Sequence, residues 1–245
     1  YGSTNTLIGS NAGAELYAGS GNAFIGSQAG RYATTGGSNV CVGFNSGYYI
    51  TTGSYNTMVG RHAGYGWYGN YITSITGSSN TCIGHEARVN SASAIRGIAI
   101  GYRASAGSNQ ARIGNSQVSS IGGYAVWSDL SDERDKMLIT DLTLGLNLVN
   151  TITPKKFKLN PRDSYYWENE EEETSGFDQE GFDAGTQARE DFSFGFLAQE
   201  VEEKVSALDS DPTGVVDDSS PDRLHLRSSE LIAVLWKAVQ ELSTK

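Results

Sequence analysis

The chain has 245 residues and a formal net charge of −10. Its sequence contains neither a secretory signal nor an apolar run approaching the roughly 20 residues of a membrane span, so membrane insertion is not expected. A nucleic-acid partner is not expected either, because phosphate contacts come from Lys and Arg and this chain has an excess of acids.

The composition changes sharply near Trp127. Residues 1–127 hold 24 of the 30 Gly, no Pro and a formal charge of +4, whereas residues 128–245 carry all four Pro and a charge of −14. Two regions of such different chemistry are not expected to share one hydrophobic core. We therefore predict two domains, 1–127 and 128–245.

The first domain is built from a repeat, Asn-x-x-(Ile/Val)-Gly-x-x-(Ala/Ser)-Gly. Whole copies begin at Asn5, Asn22, Asn39 and Asn56, and decayed copies begin at Asn80, Gly97 and Gln110. The glycines after Ile or Val are 17 residues apart from Gly9 to Gly60, then 24, 17 and 13 apart up to Gly114. Short apolar stretches closed by Gly at a fixed period predict a β-solenoid, in which each coil buries its apolar face against its neighbours.

The two-residue period of a strand then predicts which side chains face inward. We call the glycine that follows Ile or Val in each repeat the anchor glycine. The residue before it is always Ile or Val, and we expect this side chain to face the interior: Ile8, Ile25, Val42, Val59, Ile83, Ile100 and Ile113. The residues between the inward positions would face outward: Leu7, Phe24, Cys41, Met58, Cys82 and Ala99. Such an outward apolar stripe predicts association of identical chains, most simply as a trimer.

Both cysteines, Cys41 and Cys82, fall in that predicted stripe, two coils apart. Coils stack at about 4.8 Å, so the thiols would lie about 10 Å from each other, beyond the reach of a disulfide. We predict free thiols, which fits assembly in a reducing cytoplasm.

The repeat resembles the Asn-x-x-Ala-Ile-Gly-x-x-Ala units of trimeric left-handed β-roll heads in bacterial adhesins and phage fibres, most closely at Gly97–Ala104. Aromatic residues cluster in the connecting segments, from Tyr17 to Tyr71. They either pack as a ladder along one edge or stack on a host surface glycan, above all in the longer step around Tyr65–Thr76.

The second domain opens on Ser131 and Lys136, five residues apart. A serine hydroxyl is a poor nucleophile until a base removes its proton, and a lysine amine can be that base once it is buried. Taken alone, this spacing is typical of a solvated acidic surface run.

The motifs around this segment favour a catalytic interpretation of Ser131 and Lys136 over a surface run. Ser-Asp-x-Arg-x-Lys at 131–136 is followed by Gly145–Val149, Ile152–Lys158, Gly195–Val201 and a terminal stretch at Leu231–Leu242. In this order the motifs resemble the peptidase S74 family, the intramolecular chaperone domains that end phage tail fibres, tailspikes and endosialidases. The resemblance spans roughly residues 128–245.

The resemblance implies a self-processing serine endopeptidase that trimerises and cuts its own chain once, between Leu130 and Ser131. Ser131 would be the nucleophile and Lys136 the general base. Asp132 and Arg134 would hold the loop, and Gln199 and Glu200 would have a supporting role near a helix start. No cofactor is implied. No metal site is predicted, because His62, His85 and His225 are scattered and no complete EF-hand spacing is present.

Two further segments leave alternatives open. The last stretch predicts a helix with an apolar face at Leu231, Leu235, Ala238 and Leu242, capped by Ser228 or Ser229, that packs between subunits or on its own domain. An acidic insertion at about 163–191 reads either as a solvated loop or as a cation-binding or receptor-contacting loop using Asp178, Glu180 and Asp183.

The sequence thus predicts a mainly β solenoid of about 17-residue repeats followed by an α+β chaperone domain that ends in a long helix. We interpret it as the C-terminal part of a phage tail fibre or tailspike, assembled as a homotrimer in the host cytoplasm and carried in the virion with upstream fibre proteins. A missing upstream part is expected because the chain starts mid-repeat. Two alternatives remain: a non-cleaving trimerisation cap and a glycan-binding fibre tip.

Overall fold

The computed structural model describes residues 2–65, 74–124, 131–160, 166–169, 174–208, 211–220 and 223–244. The chain divides into two compact units. One unit is Tyr1–Gly122 together with Pro161–Gln187, and the other is Gly123–Asn160 together with Ala188–Lys245. Part of the acidic segment is therefore grouped with the first unit.

The first unit contains the predicted solenoid. In the described part of the chain, seven parallel strands form one sheet, each aligned residue for residue with the next. They are β1 (Thr6–Ile8), β2 (Ala23–Ile25), β3 (Val40–Val42), β4 (Thr57–Val59), β5 (Thr81–Ile83), β7 (Ile98–Ile100) and β9 (Ala111–Ile113). Two further strands, β6 (Arg88–Val89) after β5 and β8 (Ser105–Ala106) after β7 in the sequence, form a separate parallel pair.

The side chains of these strands point opposite to the predicted directions. Phe24, Cys41 and Met58 are fully buried, as are Cys82 and Ala99. The column that we expected inside faces outward instead, and Ile25 and Ile83 keep exposed fractions of 38% and 39%. The predicted orientation is therefore wrong, although the prediction of free thiols is confirmed.

Volume explains the reversal. A closed coil has a fixed internal width, so large and small side chains must complement one another inside it. Phe24 and Met58 share the buried core with Ala29 and Ala63 of the repeat. The uniform β-branched column suits an exposed pleated face. An outward apolar stripe still exists, but it consists of Ile8, Ile25, Val42, Val59, Ile83, Ile100 and Ile113, which we call the Ile/Val stripe.

A buried ladder of asparagines explains why Asn opens each repeat. The Asn39 amide oxygen accepts hydrogen bonds from the backbone N–H of Asn56 at 2.9 Å and from its Nδ2 at 3.1 Å. Asn39 Nδ2 donates to the Gly53 carbonyl at 2.9 Å. The same pattern recurs at Asn22 and Asn80. These bonds satisfy polar backbone groups that the coils bury.

The anchor glycines are required by close stacking of the coils. Gly26 has a φ of +136°, and a Cβ built there would lie 2.5 Å from the carbonyl oxygen of Gly43 in the next coil. Any other residue would therefore clash and strain the backbone at this corner.

The second unit combines short helices, two antiparallel strand pairs and a terminal helix. These elements are α1 (Leu146–Val149), β10 (Lys155–Lys158) paired with β13 (Phe192–Gly195), α3 (Ala198–Ser206), β14 (Val216–Ser220) paired with β15 (Arg223–Leu226), and α4 (Leu231–Ser243). Leu148, Val201, Val205 and Val234 are at the centre of its core. The predicted α+β region ending in a helix is confirmed.

Helix α4 has two apolar faces. Val234 and Ala238 are buried, whereas Leu235, Val239 and Leu242 stay exposed. The helix begins after Glu230, without a side-chain hydrogen bond at its cap, so the predicted caps at Ser228 or Ser229 are wrong. None of the helices in the described residues has the length and hydrophobicity that a membrane span requires.

The described part of the acidic segment is ordered, not a featureless loop. Strands β11 (Tyr166–Asn169) and β12 (Thr174–Phe177) form an antiparallel pair, followed by α2 (Gln179–Ala184). Asp178 caps α2 by accepting from the Gly181 N–H at 2.9 Å, and Asp183 accepts from the Gln179 side chain at 2.7 Å. Among the described residues, these acids form no metal-ligating cluster.

Candidate active site

The two predicted dyad residues are hydrogen-bonded to each other. A single 3₁₀ turn at Glu133–Asp135 separates Ser131 from Lys136, and the Lys136 backbone N–H closes the turn on the Glu133 carbonyl at 3.1 Å. This turn folds the chain back so that Lys136 Nζ donates to Ser131 Oγ at 2.8 Å. The arrangement is that of a hydroxyl nucleophile with an adjacent amine base.

Asp132 and Arg134 hold the turn between the dyad residues. Asp132 caps it by accepting from the Arg134 backbone N–H at 2.9 Å. The guanidinium of Arg134 donates to both carboxylate oxygens, at 2.9 and 2.6 Å, in a bidentate pair. The Arg134 side chain and backbone N–H lower the pKa of Asp132 below its ordinary value, and Asp132 raises the pKa of Arg134.

The dyad lies on an exposed segment. Ser131 and Lys136 are both exposed, and the apolar side chains of Met137, Leu138 and Ile139 that follow are exposed as well. Three consecutive exposed apolar side chains are typical of a surface that another chain covers. Leu130, on the other side of the predicted cleavage bond, lies outside the described residues.

Gln199 and Glu200 lie in the first turn of α3, as predicted. Gln199 is exposed. Glu200 accepts from the Thr153 backbone N–H at 3.3 Å and pairs with Lys155 Nζ at 3.3 Å. These contacts, with the Thr153 hydrogen bond as the larger cause, lower the Glu200 pKa. Glu200 thus ties α3 to the start of β10, which is a structural role.

Comparison with known families bears directly on this segment. Residues 131–208 match the family Peptidase_S74, described as chaperone of endosialidase. This part of the chain is therefore similar to the Peptidase_S74 family. The match begins at Ser131 itself and covers the 3₁₀ turn, β10, β13 and α3. No curated protein and no solved structure matches the chain.

A segment similar to Peptidase_S74 that follows a β-solenoid in the sequence fits the C-terminal region of a phage tail fibre or tailspike. The family makes a self-cleaving peptidase possible.

The solenoid also brings together residues that the sequence leaves apart. Tyr32, Tyr48, Tyr49 and Tyr65 pack against one another with ring centroids 4.7 to 5.6 Å apart. For these four residues the packing matches the ladder alternative, whereas residues 66–73 of the longer step around Tyr65–Thr76 lie outside the described residues. His62 and His85 lie on adjacent coils beside Glu86. The anchor glycines carry the signal for this proximity, because aligning Gly60 with Gly84 across the 24-residue step places His62 opposite Glu86 and next to His85.

Proposed function

We propose that this chain is the C-terminal part of a phage tail fibre or tailspike whose chaperone domain drives homotrimer assembly and then cleaves its own chain once between Leu130 and Ser131. The observation that carries the proposal is the 2.8 Å hydrogen bond from Lys136 Nζ to Ser131 Oγ at the first residue of the family match.

The chemistry requires only these side chains and water. The neutral Lys136 amine takes the proton of the Ser131 hydroxyl as Oγ attacks the carbonyl carbon of Leu130. The C–N bond breaks as the proton passes to the Ser131 nitrogen, leaving an ester between Leu130 and Ser131 Oγ. Water then hydrolyses the ester, which releases the Leu130 carboxylate and restores the hydroxyl. The products are chains of 130 and 115 residues.

Trimer assembly would bury the Lys136 amine, which the reaction requires. A lysine amine becomes an effective base when burial disfavours its charged form. Lys136 is exposed in the single chain, next to the exposed apolar side chains of Met137, Leu138 and Ile139. Covering that apolar segment in a trimer would bury the dyad. Cleavage would therefore follow assembly.

Two exposed apolar surfaces support self-association. On the solenoid this is the Ile/Val stripe, and on the chaperone domain it is the outer face of α4 formed by Ile232, Leu235, Val239 and Leu242. The stripe is a row of β-branched side chains along one parallel sheet, which suits packing against the same row of another chain. Clamping three chains at the chaperone domain raises the effective concentration of the three solenoids and favours their register.

Intact mass spectrometry and denaturing electrophoresis of the purified chain test the cleavage. We expect wild type to give fragments of 130 and 115 residues, and Ser131→Ala and Lys136→Ala to give only the uncut chain. Lys136→Arg keeps the charge but cannot act as a base, so it should also remain uncut. Ser128→Ala is the matched control, since Ser128 also precedes an Asp but lacks the Arg and Lys that follow Ser131.

A wild-type chain that stays intact, with no difference from Ser131→Ala, would support the non-cleaving trimerisation cap. Fragmentation at another bond, or cleavage that persists in Lys136→Ala, would contradict the dyad.

Analytical ultracentrifugation tests the trimer. Ile25→Glu with Ile83→Glu places charges in the Ile/Val stripe and should shift the particle from trimer towards smaller species. Tyr17→Glu is the control, because Tyr17 is exposed and outside the stripe. A wild-type monomer, or stripe variants that remain trimeric, would overturn the proposed interface.

A further inference from the structure

The strongest cluster of metal-ligating side chains lies on the solenoid, away from the dyad. Within the described residues, His62, His85 and Glu86 each offer one ligand atom, and all three atoms lie within 4.8 Å of one another. His62 and Glu86 are buried, and His85 is half-buried.

Coil register creates this cluster. Strands β4 and β5 pair Val59 with Ile83, so the residues that follow align as well. His62 and Glu86 both come two residues after an anchor glycine, in the left-handed conformation with φ of 56° and 57°. The two side chains therefore occupy the same corner on successive coils, and His85 stands beside them.

The imidazole rings are held by aromatic neighbours. The His62 ring stacks on Tyr65 with centroids 4.8 Å apart, and the His85 ring stacks on Tyr102 at 5.4 Å. Arg103 binds one carboxylate oxygen of Glu86 at 2.5 Å, which directs the other oxygen towards His85. Neighbours that orient ligands in this way are typical of metal centres.

The two contacts of His85 Nε2 favour opposite protonation states of that nitrogen. Its Nε2 lies 3.1 Å from Glu86 Oε1 and 3.1 Å from Arg61 Nη1. A protonated Nε2 can donate to Glu86 but then repels the Arg61 N–H, whereas an unprotonated Nε2 can accept from Arg61 but then repels the carboxylate oxygen. A metal ion removes the conflict, because a neutral imidazole and a carboxylate both donate lone pairs to it.

We propose that His62, His85 and Glu86 bind one late first-row divalent cation, such as Zn²⁺, which joins two adjacent coils of the solenoid. Two imidazole nitrogens and one carboxylate oxygen are the donor set that such cations prefer over Mg²⁺ or Ca²⁺. Ligand atoms of a tetrahedral Zn²⁺ lie about 3.4 Å apart. Binding would therefore draw the three ligand atoms together from their present separations of up to 4.8 Å.

The position gives the ion a structural role. Gly60 and Gly84 bracket the longest step of the repeat, 24 residues instead of 17. A cation bound by both coils would hold them in register where the regular spacing is interrupted. Arg61 is exposed, so its guanidinium can move away from His85 when the cation binds.

Isothermal titration calorimetry with ZnCl₂ on the full-length, tag-free, chelator-treated chain tests the site. We expect one Zn²⁺ per chain and a rise in the unfolding temperature at saturating Zn²⁺. Affinity should fall at least about tenfold in His85→Ala and in Glu86→Gln. Replacing Zn²⁺ by Co²⁺ should give a visible absorption band that both variants lose.

Two further variants separate this site from other sources of binding. His225→Ala removes the one histidine outside the cluster and should bind like wild type. Arg61→Gln removes the competing cation and should tighten binding several-fold. Absence of stoichiometric binding by wild type, or full binding by His85→Ala and Glu86→Gln, would overturn the proposal.

Discussion

Lys136 Nζ lies 2.8 Å from Ser131 Oγ although both side chains are exposed. The geometry of the dyad is therefore local: it needs only the 3₁₀ turn between the two residues, and it forms in a single chain. The 3₁₀ turn does not bury Ser131 and Lys136, so a single chain leaves both side chains exposed. The difference between a formed dyad and an active one should lie in the contacts that association adds.

Charges on the outer face of α4 should therefore block cleavage while leaving the dyad intact. Leu235→Asp and Val239→Asp place carboxylates where we expect another subunit. Both should remain uncut and dissociated, as measured by denaturing electrophoresis and analytical ultracentrifugation. Gln240→Asp, at an exposed polar position of the same helix, should cleave like wild type. Full cleavage of a dissociated Leu235→Asp chain would show that assembly does not control the reaction.

Protonation of Asp132 should loosen the turn that carries the dyad. Arg134 lowers the pKa of Asp132, so the ionised carboxylate favours the folded turn. This contribution is complete above the ordinary Asp pKa of about 3.9 and is lost as the pH falls through the lowered pKa. NMR titration should show the Asp132 pKa rising in Arg134→Ala. Asp211, whose pKa is lowered by Thr213, should titrate unchanged. An unchanged Asp132 pKa in Arg134→Ala would contradict the pairing.

The solenoid could be predicted because it depends on a short-range repeat, whereas the pairing of Ser131 with Lys136 was expected from the family resemblance and not from their spacing alone. The 17-residue spacing fixes the solenoid, and Ser131 and Lys136 are one turn apart. The inward face of the strands could not be predicted, since a three-residue strand offers two faces and both columns here are apolar. Packing volume decides between them, and volume depends on Ala29 and Ala63, which lie outside the strands. The proximity of His62 and His85 depends on the irregular coil step, which the spacing of Gly60 and Gly84 already contains.

Truncating Phe24 should destabilise the solenoid interior. Phe24 is fully buried against the alanines of the repeat, so Phe24→Ala leaves a cavity and should lower the free energy of unfolding by about 3–5 kcal/mol. Tyr17→Ala removes an aromatic ring that is 73% exposed and should cost less than about 1 kcal/mol. Guanidinium denaturation monitored by circular dichroism gives both values. Equal costs would argue against the observed strand orientation.

Breaking the asparagine ladder should cost nearly as much as a cavity. Asn39→Ala leaves the buried N–H of Asn56 and the carbonyl of Gly53 without these hydrogen bonds. An unsatisfied buried group costs about 1–3 kcal/mol, so we expect a loss of at least about 2 kcal/mol in the same denaturation experiment. Asn115→Ala removes an exposed hydrogen bond to the Gln117 N–H and should change stability little. A neutral Asn39→Ala would show that the ladder is dispensable.

The two thiols should be unreactive while the solenoid is folded. Burial raises the pKa of Cys82 to about 12 and raises that of Cys41 as well, so neither is a thiolate near neutral pH. Because only the thiolate attacks electrophiles, iodoacetamide at pH 8 should leave the native chain unlabelled and modify both residues in guanidinium. Mass spectrometry counts the adducts. Stoichiometric labelling of the native chain would place the cysteines on the outer face and contradict the observed strand orientation.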